Sequence, residues 1–249
     1  MTDVMWSLWV LLPLLYSVFT ASGLWLVYYV APTEIWLTPL ESQYGPFDPP
    51  YIGNAAYTQP GSCIFGGVMN VSAFMGFTIA VLRYRQLKHR MDKPWLNISS
   101  LVVFSFACVG MLITANIPFS VNFRISNIGC YITFGLGLLF CWMQTYITLK
   151  VNLMNEGRKV GFIRFLLSAS ITVCMILYFY LMFQDFDRSG ARCQWVLVML
   201  LLVFLGTFAI EFRHDHFYIE CRESCENPSK MSEMLSDVSK SNCVTFVNP

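Results

Sequence analysis

Six stretches of this chain, at 4–30, 63–82, 95–115, 128–149, 165–183 and 193–210, contain no Asp, Glu, Lys or Arg. A helix needs about 20 apolar residues to cross roughly 30 Å of hydrocarbon, so each stretch reads as a membrane span. In lipid every backbone donor and acceptor must be satisfied within the protein, which leaves helices or a closed barrel. A barrel needs short segments of alternating polarity, and these solid apolar blocks do not alternate. The expected fold is all-α: a polytopic six-helix membrane bundle over residues 1–212, followed by a polar tail at 213–249 rich in Ser and Glu. The first stretch lacks a basic leading end and a small-residue cleavage site, so it reads as a retained anchor and not a signal peptide.

Orientation follows from the basic residues, which gather on the cytosolic side. The connection after the second stretch carries Arg83, Arg85, Lys88, Arg90 and Lys93, and the next on the same side carries Lys150, Arg158, Lys159 and Arg164. The tail adds Arg213, Arg222, Lys230 and Lys240, whereas the opposite side holds only Arg124, Arg188 and Arg192. This split of 13 against 3 places both termini in the cytosol and the 31–62 loop outside. Asn70-Val71-Ser72 and Asn97-Ile98-Ser99 match the glycosylation pattern. One lies within a span and the other at a cytosolic helix end, so neither is expected to be modified.

Composition disfavours several functions. A net charge of +1 gives no field for nucleic acid. The phosphate-loop, zincin and nucleophile-elbow patterns are absent, and the three histidines, His89, His214 and His216, all fall on the cytosolic side. Catalysis and a cofactor are therefore not expected. Neutral polar residues remain at membrane depth: Asn70, Ser72, Gln144, Ser168 and Thr172, with Asn116 just past the third span. They suit helix packing through interhelical hydrogen bonds, or a narrow polar path in an oligomer. Glu211 touches the end of the last span, where it could pair with Arg213 or contribute to a cation ring. The five cations from Arg83 to Lys93 set topology and suit contact with anionic lipid, phosphoinositides included. His214, His216, Cys221 and Cys225 match no trusted zinc spacing, while Cys221 and Cys225 are candidates for S-acylation. Cys63 and Cys193 sit at outer helix ends, either free or joined as a disulfide. Met231, Met234, Leu235 and Val238 have helical spacing within the tail.

Specific strings resemble the transmembrane protein 150 branch of the damage-regulated autophagy modulator (DRAM) superfamily, which includes the Frag and Sfk proteins. They are Leu11-Leu12-Pro13, Ser22-Gly23-Leu24-Trp25, Pro50-Tyr51-Ile52, Pro60-Gly61-Ser62-Cys63, Met69-Asn70 and Arg83-Tyr84 with Gln86-Leu87. The superfamily is six-spanning, in agreement with the apolar blocks. Longer strings resemble a narrower group: Pro94-Trp95-Leu96-Asn97-Ile98-Ser99, Thr148-Leu149-Lys150-Val151-Asn152, Leu167-Ser168-Ala169-Ser170-Ile171-Thr172 and Glu211-Phe212-Arg213-His214. That resemblance implies a component or modulator of a mechanically activated, slowly inactivating cation channel at the plasma membrane, working with a channel partner or as a homo-oligomer. Other branches imply a non-channel adaptor that organises phosphoinositide-kinase complexes, or modulates autophagy at lysosomal or endosomal membranes. An epitope inserted at 45–50 is expected to be labelled on intact cells; labelling only after permeabilisation would reverse the orientation.

Overall fold

The computed structural model describes residues 8–30, 51–56, 59–88, 90–91, 93–151, 157–184 and 186–213. The expected tail, its helical stretch and the acylation candidates Cys221 and Cys225 lie outside these residues, as does loop 31–50. The described elements are a 3-10 turn at Leu8–Val10, then α1 Leu11–Val30, α2 Ile52–Ala55, α3 Gly61–Leu87, α4 Pro94–Asn116, α5 Phe123–Lys150, α6 Gly157–Phe183, α7 Asp187–Gly206 and α8 Phe208–Phe212. Six helical stretches are long and apolar enough to cross a membrane, the last formed by α7 and α8 together.

Local chemistry sets several ends. Pro94 opens α4 at its first turn, where a missing amide hydrogen costs nothing. Ile117 precedes Pro118, which disfavours helical backbone, and α4 stops at Asn116. The Asn122 side chain then accepts from the Ile125 amide at 3.2 Å and caps α5. The helices overrun the uncharged blocks. At 27 residues, α3 is about 40 Å long and carries Arg83 within it, while α5 begins before Arg124 and α6 before Arg164.

The spans close into a ring. α1 packs on α3, α3 on α4, α4 on α5, α5 on α6 and α6 on α7, and α7 returns to α1. Ser17 on α1 donates to the Leu202 carbonyl at 2.8 Å, joining the first span to the last. Thr20 and Ser72 share a hydrogen bond of 2.8 Å between α1 and α3. Most outward side chains are large and apolar, including Phe74, Phe106, Ile176 and Val203, as a lipid-facing surface requires. Trp25, Tyr28, Tyr29 and Trp195 cluster near the outer end, with Trp25 and Trp195 ring centres 5.0 Å apart. Amphipathic rings favour that headgroup level. Short α2 wedges into the outer mouth of the ring: Ile52, Ala55 and Ala56 pack with Leu24, Val27, Phe65 and Trp195.

Lipid offers no hydrophobic force to press helices together, so close packing must do the work. The tightest crossing is between α4 and α5. A Cβ on Gly110 would sit 2.8 Å from the Gly129 carbonyl oxygen, and one on Gly129 would sit 2.9 Å from that of Gly110. Only glycine permits that backbone approach. Gly110→Val is expected to lower stability by about 1–3 kcal/mol, read as an earlier unfolding midpoint in detergent. Gly67→Ala should leave it unchanged, because a Cβ there meets no neighbour.

Candidate functional site

The cytosolic ends of the spans converge on three ionised side chains that have almost no exposed surface: Arg83 at 0%, Arg164 at 0% and Glu211 at 6%. Glu211 Oε2 lies 2.9 Å from Arg83 Nη1 and 2.8 Å from Arg164 Nη2, so one carboxylate serves two guanidiniums. Arg83 Nη2 donates to Glu211 Oε1 at 3.0 Å. Arg164 Nη2 and Glu211 Oε2 meet as an ion pair without a hydrogen bond, and other donors find neutral acceptors. Arg83 Nε donates to Gln144 Oε1 at 3.1 Å and Arg83 Nη1 to Gln86 Oε1 at 2.6 Å. Arg164 Nε donates to Thr207 Oγ1 at 3.0 Å and Arg164 Nη1 to Thr148 Oγ1 at 2.5 Å. Gln144 donates in turn to Ser100 Oγ at 2.7 Å, and Gln86 to the Glu211 carbonyl at 3.1 Å. The cluster therefore ties together α3, α4, α5, α6 and the α7–α8 end.

Among the described residues, the cluster sets two cations against one anion in a water-poor site. Aromatic faces help to hold the cations. The Arg164 guanidinium lies 4.2 Å from the Phe208 ring centre, and that of Arg83 lies 5.4 Å from it. Both are within the range of cation–π attraction, which strengthens as the groups are desolvated. Phe208 continues into an aromatic train, with Phe140 at 6.1 Å and Phe104 4.3 Å beyond. The cytosolic end of the ring is thus filled by a charge cluster backed by rings.

The structure corrects two expectations and decides a third between its alternatives. Arg83 does not face anionic lipid, because it is a helical residue turned wholly into the bundle; Arg85, Lys88, Arg90 and Lys93 are the exposed members of that run. Glu211, expected at the interface beside Arg213 or in a cation ring, has its carboxylate drawn inward by Arg83 and Arg164. Cys63 and Cys193 are both free thiols. The neighbours of α7 are α6 and α1, and Cys193 Sγ contacts the Cys174 carbonyl at 3.1 Å.

The neutral polar residues take interhelical places. Asn70 and Asn116 exchange two amide hydrogen bonds of 3.2 and 3.0 Å between α3 and α4. Ser168 meets Thr145 at 3.0 Å, and Thr172 accepts from Trp142 Nε1 at 3.1 Å. Asn97, the second glycosylation-pattern residue, is 2% exposed and donates to the Tyr84 carbonyl. Arg164 is the charged member of the cluster that the sequence places only among the loop cations. The available signal was its spacing: Arg164, Ser168 and Thr172 recur every fourth residue as one polar stripe of α6.

Residues 8–215 match the family described as Frag1/DRAM/Sfk1/Cwh43P N-terminal domain. The chain belongs to this family. Within the Frag1/DRAM family it is similar to a Xenopus laevis protein named modulator of macroautophagy TMEM150B-A, at 29% identity over 91% of this chain and 96% of that one. It is 30% identical to the Danio rerio modulator of macroautophagy TMEM150B, over 86% of this chain and 89% of the relative. Human transmembrane protein 150A is 29% identical over 82% of this chain and 83% of its own. No solved structure matches the chain.

Removing one partner of a buried ion pair costs about 3–5 kcal/mol, because a charge is left uncompensated. Glu211→Gln is expected to be the most damaging single change in the cluster, since it removes the carboxylate that both buried guanidiniums share. Arg83→Gln, which leaves Glu211 paired with Arg164, should cost less. Unfolding midpoints of the purified variants test this order.

Proposed function

We propose that this Frag1/DRAM member is a non-conducting, non-enzymatic membrane adaptor that modulates macroautophagy, as the names of its TMEM150B relatives describe those proteins. The observation that carries this reading is the contrast at the cytosolic end. Inside, the Arg83–Glu211–Arg164 cluster and Phe208 fill the ring. Outside, Arg85, Lys88, Arg90, Lys93, Lys150 and Lys159 are exposed. A filled interior argues against an ion path through one chain, and a cationic rim suits an anionic leaflet, at about 1 kcal/mol per cation. The working surface is then the cytosolic rim on a phosphoinositide-bearing membrane, where the adaptor gathers cytosolic partners. Lysosomal or endosomal membrane fits the autophagy reading, and plasma membrane fits the organisation of lipid kinases.

A second reading rests on the longer strings at 94–99, 148–152, 167–172 and 211–214, which resemble tentonin, transmembrane protein 150C. It would make the protein a component or modulator of a mechanically activated cation channel. The relatives named above support the adaptor reading better. Reconstitution separates the two: the purified chain alone in stretched liposome patches is expected to pass no current, and tension-gated cation current would establish the channel. In cells, replacing Arg85, Lys88, Arg90 and Lys93 with Gln is expected to abolish the chain's effect on autophagic flux while leaving its insertion intact. An unchanged flux effect would sink the adaptor reading. Arg83 is left in place in this variant, because it supports the fold.

A further inference from the structure

We propose that the outer half of the ring holds a binding site for an uncharged, hydroxyl-bearing membrane lipid. Two cavities of about 100 and about 230 Å³ lie there, and they share Gly53, Phe119, Cys130, Phe134 and Gln194 as lining. The smaller reaches inward to Tyr16. The larger is lined by Phe123, Tyr131 and Phe179, all exposed on the outer halves of α5 and α6, so it opens sideways towards acyl chains.

Two polar groups facing this space lack partners. Tyr16 is 3% exposed, and its hydroxyl makes no hydrogen bond among the described residues. Gln194 is 7% exposed; its Oε1 accepts from the Ile52 amide at 3.0 Å, while its Nε2 has no partner among them. Hydroxyls and amides this deep in a bundle are normally paired, and these two are not among the fully enclosed unpaired atoms, as befits groups that face a cavity. A phenol oxygen and an amide donor in a largely apolar space, lined also by uncharged polar residues such as Thr114, Thr133 and Asn127, match a hydroxyl on an apolar body. Among the described residues no charged side chain lines either cavity, so a phosphate or zwitterionic headgroup finds no counterion among them. The shared chemistry of sterols and diacylglycerols fits: neutral, largely hydrocarbon and bearing one hydroxyl. The hydroxyl meets Tyr16 while the remainder extends past Gln194 through the opening between α5 and α6. This site is separate from the cytosolic rim and does not depend on the adaptor reading.

The test uses the full-length chain in nanodiscs with three photoreactive, click-tagged probes: a sterol, a diacylglycerol and a phosphatidylcholine. Saturable labelling by either neutral probe, competed by its unlabelled parent and mapped to cavity-lining peptides, is the expected result, and the probe that labels identifies the source. Tyr16→Phe removes a hydroxyl that has no protein partner, so the fold should persist. Loss of one hydrogen bond should weaken the apparent affinity about fivefold. Cys130→Leu, which fills space common to both cavities, should abolish labelling in protein that remains monodisperse. Equal labelling by phosphatidylcholine, crosslinks confined to the lipid-facing surface, or a Tyr16→Phe protein that binds as tightly as the parent would each overturn the proposal. The last result would mean that water occupies the space.

Discussion

Glu211 is one carboxylate shared by two guanidiniums, and the cytosolic half of the bundle is arranged around that sharing. Taking three ions out of water is costly, and their mutual attraction repays it only when every remaining donor is also met. The surrounding residues supply those partners: Gln86 and Gln144 for Arg83, Thr148 and Thr207 for Arg164, and Phe208 beneath both. The cluster's value lies in specificity as well as strength. Leucine-rich faces pack equally well on lipid and on one another, so they do not choose a rotation for each helix. A carboxylate that must meet two arginines does choose, and it fixes which face of α3, α6 and α8 turns inward.

Above that level the bundle uses gentler means. Neutral hydrogen bonds between helices are worth about 0.6 kcal/mol on average, so Thr20–Ser72, Thr145–Ser168 and Asn70–Asn116 act as fine register marks. Closeness at Gly110 and Gly129 adds dispersion where backbones touch. The outer end is closed by packing, with α2 wedged against aromatic and aliphatic neighbours and tied by one bond from Ile52 to Gln194. The two ends of the ring therefore differ in kind: the cytosolic end is charged and held by ion pairs and hydrogen bonds, and the outer end is largely apolar.

Much of this was readable from the chain. The six spans follow from uncharged runs, and the polar residues within them fall at helix contacts. Ending each span at its first charge was the step that failed. It shortened α3 at Arg83 and α6 at Arg164, and so counted two core residues among the loop cations. Arg83 finds Glu211 across 128 residues of sequence, and no local pattern announces such a partner. A four-residue wedge such as α2 is likewise silent, because it is too short to show a period.

The sharing of Glu211 also imposes an order on biogenesis. Arg83 leaves the ribosome 128 residues ahead of its anion, roughly 6–25 s at ordinary synthesis rates. During that interval the guanidiniums lack the carboxylate that holds them in the finished bundle. Arrival of the final helix then draws both arginines inward together. A nascent chain halted before Glu211 would retain its membrane segments yet display two unquenched cations, a mark by which quality control could distinguish it from a finished one.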